Sequence, residues 1–178
     1  MKINTLISIL SLCSFSAFSA CNFDVDFTSI PQVKEQKVEL SADATLYISQ
    51  QVAKKLENGA VIATNVTCQH LVGQPYQLGE EYWQHYLDNA VKGLGKAGVT
   101  SLDVTIVGKD DWVYKGPQEK LEYVFDADFG GNKQEIRNLA VMIEETNSLV
   151  SFSVSGNQIA KSAIEQEFKR VVGSFKVN

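Results

Sequence analysis

Histidine is almost missing from this chain of 178 residues: His70 and His85 are the only two. That leaves little for a histidine-based metal cage, which needs three or four ligands, and few groups for general-base work near neutral pH. Cysteine is scarce as well, at three residues, so no disulfide scaffold replaces a hydrophobic core. Basic residues are outnumbered, 16 Lys+Arg against 21 Asp+Glu for a net charge of −5, which disfavours a broad nucleic-acid-binding surface. Beyond the N-terminus no apolar run reaches transmembrane length. Repeats, low-complexity tracts and linkers are also absent. What remains is 44% hydrophobic and 21% charged, the composition of one packed domain.

Residues 1–20 read as a secretory signal peptide. Lys2 supplies the positive start, residues 3–12 are apolar except for Asn4, Thr5, Ser8 and Ser11, and small residues follow at Ser14, Ser16, Ala17, Ser19 and Ala20. The apolar run is too short for a permanent span. Two cleavage readings compete. Ala17 and Ser19 stand at −3 and −1 for a cut before Ala20, while Phe18-Ser19-Ala20-Cys21 resembles a lipobox that would leave Cys21 lipidated. Phe18 stands where that pattern usually has Leu, Val or Ile, and a strand-like alternation follows Cys21 with no polar tether. The localisation expected is periplasmic, with a membrane-anchored lipoprotein as the alternative. No transmembrane segment is expected in the mature chain.

Removal of the leader takes Cys13 with it and leaves Cys21 and Cys68. Cys21 is in phase with Phe23, Val25 and Phe27, and Cys68 with Ile62 and Val66, so both thiols are expected to face the core and to form a disulfide. Crosslinking so long a loop is worth about 4 kcal/mol in the chain-entropy model. Lipidation of Cys21 competes for the same sulfur. A third use, Cys68 with His70 and His85 in a metal or hydrolytic site, is short of ligands.

Residues 23–27 open a strand that Ile30-Pro31 interrupts. Residues 33–40 carry Lys34, Glu35, Lys37 and Glu39 and read as an exposed connection or an edge strand. Residues 44–56 fit two patterns, a helix through Ile48, Val52 and Leu56 or a strand from Thr45. Residues 61–68 are β-branched and strand-like. An internal helix is expected over about 79–97, with Glu80 and Glu81 at its positive end and Trp83, Leu87, Ala90, Leu94 and Ala97 as an apolar stripe. Alternation then marks strands through Leu102–Ile106, Leu121–Phe129, Ile136–Glu144 (carrying Leu139, Val141 and Ile143) and Val150–Val154, an antiparallel meander with one wet face. A C-terminal helix is expected over about 157–173, burying Ala160, Ile164, Phe168 and Val171. Residues 21–178 therefore form a single α+β domain, an antiparallel sheet packed by the two helices.

That order, from residues 61–68 through the helix at 80–94 and the strands at 102–154 to the helix closing on Gly173-Ser174-Phe175-Lys176-Val177, resembles the PsbP-like α/β/α sandwiches. Small bacterial envelope proteins of the DcrB type belong to that superfamily. The resemblance covers roughly residues 60–178. It implies a binding or accessory role and, because the family shares no catalytic motif, carries over no functional residue.

Individual motifs point the same way. Asp126-Ala127-Asp128-Phe129-Gly130-Gly131-Asn132 matches part of a calcium loop, but Gly130 and Arg137 stand where ligands belong, so its aspartates read as carboxylates on the wet face entering a turn. No nucleophile elbow is present. Neither cofactor nor metal is expected. The aromatic group Tyr76, Tyr82, Trp83 and Tyr86, and a second pair, Trp112 and Tyr114, read as exposed on a hairpin, are the candidates for binding a partner. The reading is a non-catalytic periplasmic binding protein acting on another envelope protein, with an immunity-type inhibitor of an envelope toxin as one form. The alternatives are a structural lipoprotein anchored at Cys21, and an uncharacterised hydrolase or metal-binding protein using Cys68, His70 and His85.

Overall fold

A computed structural model of the chain describes residues 21, 23–57 and 59–177. The leader expected at residues 1–20 lies outside the described residues. In chain order the elements are β1 (Phe23–Asp24), β2 (Gln32–Glu39), β3 (Thr45–Glu57), β4 (Ala60–Val72), α1 (Glu80–Lys96), β5 (Ser101–Ile106), β6 (Lys120–Asp128), β7 (Lys133–Ile143), β8 (Ser148–Asn157), α2 (Lys161–Ser174) and β9 (Lys176–Val177). Single 3-10 turns at Lys109–Asp111, Glu144–Thr146 and Gln158–Ala160 sit between them.

Seven strands form one sheet in the order β2-β3-β4-β8-β7-β6-β5, and every pairing is antiparallel. The mixed α and β architecture with an antiparallel sheet is therefore the one its alternation predicts. β2-β3-β4 and β5-β6-β7-β8 are two meanders that join where β4 pairs with β8. α1 and the loops flanking it form the long connection between them. β1 and β9 make a separate two-stranded ribbon with Phe23 opposite Val177.

Period-two alternation decides which side chains meet which helix. Ile62, Val66 and Cys68 of β4, Leu139, Val141 and Ile143 of β7, and Val150, Phe152 and Val154 of β8 point to one face. There they meet Ala163, Ile164, Phe168, Val171 and Val172 of α2, with Phe175 just beyond. The stripe read from the sequence is the buried face of this helix. Cys21, Phe23, Val25 and Phe27 run along the edge of the same core, and Cys21 is bonded to Cys68 with a Cα–Cα distance of 6.0 Å.

Three expectations need correction or completion. Residues 44–56 form a strand, not a helix: β3 pairs with β4 along its whole length, from Thr45 opposite Val72 to Glu57 opposite Ala60. That long ladder outweighs the helical spacing of Ile48, Val52 and Leu56. The strand expected over residues 23–27 is two residues long, because the chain after Asp24 leaves the ribbon to cross toward α2. The meander does not have one wet face. Residues 138–143 of β7 are buried on both sides, α2 covering one and the aromatic side chains around α1 the other.

α1 itself is lightly docked. None of its residues is fully buried, and Ala97, read as the last member of its apolar stripe, is exposed. Gly73 adopts φ +96 where the chain turns from β4 toward α1. A Cβ there would lie 1.7 Å from the Asp43 carbonyl oxygen, so only glycine fits between this turn and the one joining β2 to β3.

Candidate functional site: an acidic cleft beside an aromatic cluster

Tyr76, Tyr82, Trp83 and Tyr86 do come together. They pack over Ala140, Met142 and Leu149, forming a second small core on the sheet face opposite α2. Tyr82 is the hub, with its ring centroid 5.9 Å from Tyr76, 5.3 Å from Trp83 and 6.5 Å from Tyr86. Burial pushes the Tyr76 phenol up to about 12, with a smaller contribution from Tyr86. Burial likewise raises Tyr82, Tyr86 and Tyr123, so these phenols stay neutral through the physiological range. For Tyr86, hydrogen bonds with Ser151 and Tyr123 act against that rise. The cluster is the cement between α1 and the sheet, and its outer edges are half exposed.

Asn147 holds the approach to this cluster. It adopts the left-handed conformation at φ 48, where Asn is among the tolerated residues. Its Nδ2 donates to the carbonyls of Leu71, at 2.6 Å, and Gln74, at 2.8 Å, while its Oδ1 accepts from the Tyr76 amide at 2.9 Å. The Tyr76 hydroxyl then donates to the Gln69 carbonyl at 3.2 Å. One side chain between β7 and β8 thus fixes the loop leading into α1. Sequence reasoning passed over Asn147, although an Asn between two strand patterns is the available signal.

Trp83 leads from the cluster to a cleft. Its indole Nε1 donates to Glu119 Oε1 at 2.5 Å. Glu119 lines a hollow of about 520 Å³ together with Pro117, Gln118, Met142, Glu144 and Glu145. Every charge on that lining is negative. The backbone shapes it: the Met142 amide donates to the Glu119 carbonyl at 2.9 Å, and the 3-10 turn at Glu144–Thr146 turns both of its glutamates to solvent. On α1, Glu80, Glu81, Gln84 and His85 border a second hollow of about 500 Å³. His85 lies 3.6 Å from Glu81 there and is largely exposed.

The second aromatic pair is not free on a hairpin. Trp112 and Tyr114 are half buried, and the Lys120 ammonium lies over both rings, 4.8 and 5.0 Å from their centroids. Trp112 Nε1 donates to the Val107 carbonyl at 3.0 Å, and Tyr114 packs on Phe175 of the main core. The loop is pulled inward by Glu122, whose side chain accepts from the Val113 amide at 2.9 Å. Glu122 was expected on a wet face, yet it is only 3% exposed. Burial raises its pKa against the bonds from the Val113 and Tyr114 amides.

Cys68, His70 and His85 do not form one site. The Cys68 sulfur is in the disulfide, and His85 is on α1, across the sheet from the α2 face that Cys68 and His70 share. His70 Nδ1 lies 2.8 Å from the Thr146 carbonyl, which can only accept, so this nitrogen carries the proton. Asp126 and Asp128 line a small polar hollow with Asp103 and Lys133. Asp128 accepts from the Gly131 amide and Asp126 from Gln158, as turn and side-chain acceptors. Among the described residues no group of three or more His, Cys, Asp or Glu is arranged to hold a metal, and no helix is long and apolar enough to cross a membrane. No family model, curated protein or solved structure matches this chain.

Proposed function

We propose that this chain is an exported, non-catalytic binding protein whose acidic cleft receives a basic segment of another envelope protein. The observation that carries the reading is the pairing of Glu119, Glu144 and Glu145 around one hollow with the Trp83 indole attached to its wall. Carboxylates at a rim steer a cationic partner and set its orientation, and an aromatic bed beside them supplies area at little cost in side-chain entropy. The acidic net charge favours the same sign of partner. The Cys21–Cys68 disulfide supports an oxidising compartment, and the periplasm is the location this reading assigns. An immunity-type inhibitor of a basic envelope toxin is its most specific form. The PsbP-like resemblance agrees with an accessory role.

The test is photo-crosslinking in envelope extract from a probe installed at Gln118, on the cleft wall. The wild-type chain is expected to capture a partner in a salt-sensitive way, and E144K/E145K to reduce capture by at least about tenfold, because two attractive charges become repulsive. Equal capture by the double variant, or capture indifferent to salt, overturns the reading.

A further inference from the structure

β2 ends the sheet on the side away from α1's connection, and all eight of its residues are exposed. Among the described residues its only strand neighbour is β3. A strand in this position presents a row of unpaired N–H and C=O groups. Natural edges are usually blunted by shortness, a bulge, a proline or charged side chains, lysine above all. Of these this edge has only the charges: its ladder with β3 runs without a bulge from Gln32 opposite Val52 to Glu39 opposite Thr45, Pro31 stands outside it, and its charges alternate in sign.

The alternation is self-complementary in one register. Two copies that pair edge to edge about a two-fold axis normal to the sheet keep their α2 faces on the same side. A residue then meets only residues of its own face. Among the antiparallel registers that keep more than half of the strand paired, one centred on Lys34 sets lysine against lysine. A register centred on Glu35 sets glutamate against glutamate, and one centred on Lys37 again opposes two lysines. Centring on Gln36 places one amide against its own copy and puts Glu35 opposite the other copy's Lys37 twice. Lys34 then meets Val38, whose surface its stem can cover.

The β3 residues opposite these charges carry no charge of their own. Glu35 stands opposite Ser49 and Lys37 opposite Tyr47. Lys37 has one exposed ion pair, with Glu39 on its own strand at 3.2 Å, and an ammonium with three donors can serve two carboxylates.

From this charge pattern we infer that β2 is a homodimerisation edge, joining two copies of the chain into one continuous fourteen-stranded antiparallel sheet (seven strands from each) centred on Gln36. It involves neither the acidic cleft nor the aromatic cluster, so it stands or falls separately from the proposed function. One strand edge is a small interface, so the dimer is weak and its population rises with concentration.

The experiment is sedimentation equilibrium of the leader-free chain and of three variants, over about two orders of magnitude in concentration, at low and high salt. The wild type is expected to pass from monomer toward dimer, less readily at high salt. K37E and E35K each oppose like charges twice and are expected to weaken the dimer at least about tenfold. The double variant E35K/K37E restores opposite pairs with the signs exchanged and is expected to recover wild-type association. All the altered side chains are exposed, and circular dichroism checks that each variant folds. A wild type that stays monomeric throughout overturns the inference and leaves the edge to a strand from another protein. Single swaps that dimerise like the wild type, or a double swap that fails to recover, overturn it too.

Discussion

Glu167 is 2% exposed on a helix that otherwise buries aliphatic and aromatic side chains, and its surroundings explain how a carboxylate is kept there. Burial alone would raise its pKa. Bonds from Arg170, Thr28 and Lys55 overcome that and bring the carboxyl down to about 2. Arg170 reaches it at 2.6 Å, the Thr28 hydroxyl at 2.7 Å and the Lys55 ammonium at 3.1 Å. The same guanidinium donates to the Asp26 carbonyl at 2.9 Å, so one buried charge ties the N-terminal segment, β3 and α2 together. A folded pKa below the unfolded value stabilises the protein above the unfolded pKa, and the benefit is lost as pH falls toward the folded pKa. The drop from 4.5 to about 2 corresponds to roughly 3 kcal/mol. E167Q is therefore expected to unfold more easily than the wild type near neutral pH, by about 1–3 kcal/mol. The gap should close between about pH 5 and pH 2 as the wild-type carboxylate is protonated. Urea unfolding of both proteins across that range checks it, and a gap independent of pH would show that the bonds hold without the charge.

At the scale of elements, α1 and the β7–β8 pair differ in how they are held. β7 and β8 lie in the middle of the sheet, with Leu139, Val141, Val150 and Val154 all fully buried. α1 contributes no fully buried residue, and its last turns carry Gly93 and Gly95, which weaken a helix. Its grip is the aromatic cluster near its start and the Trp83–Glu119 bond. Amides of α1 are expected to exchange with solvent through local opening, at least about a hundredfold faster than those of β7 and β8, which wait for global unfolding. Hydrogen exchange followed by mass spectrometry reads the difference, and equal protection would mean that α1 opens only with the sheet. The contrast also explains which parts were legible in the sequence. Strands β6 to β8 and helix α2 each have their own period and announce themselves. β3 announces two periods, and only its ladder with β4 chooses between them. The aromatic residues near α1 could be named from composition and spacing. The cleft could not, because Glu119 and Glu144 are 25 residues apart in sequence and meet only through the pairing of β6 with β7. Glu122 and Glu167 were illegible for a related reason: a glutamate at an alternating or helical position looks solvated until the loop or cation that covers it arrives from elsewhere in the chain.

For the molecule as a whole, the decisive atom is the Cys21 sulfur, which can be half of a disulfide or carry a lipid, but not both. In the fold it reaches Cys68 on β4, beside the central strand β8, and closes a separation of 47 residues that includes β1, β2 and β3. Chain entropy makes that closure worth about 4 kcal/mol. For a domain of this size, each kcal/mol moves the melting temperature by about 2–4 °C. Reduction, or the C21A/C68A variant, is thus expected to lower the melting temperature by roughly 10 °C in calorimetry. The chain purified from the envelope is expected to lack residues before Ala20 or Cys21, to weigh two hydrogens less than its reduced form, and to bind no alkylating reagent after denaturation without reductant. A diacylated Cys21 would instead leave Cys68 alkylatable under those conditions. It would also loosen the N-terminal segment from the core that Phe23, Val25 and Phe27 help to cover. Retention of the leader together with alkylatable Cys21 and Cys68 would remove the oxidising compartment from the argument. The 47-residue closure would then contribute nothing to folding, and the Glu167 cluster would be left as the main tie between the first strands and α2.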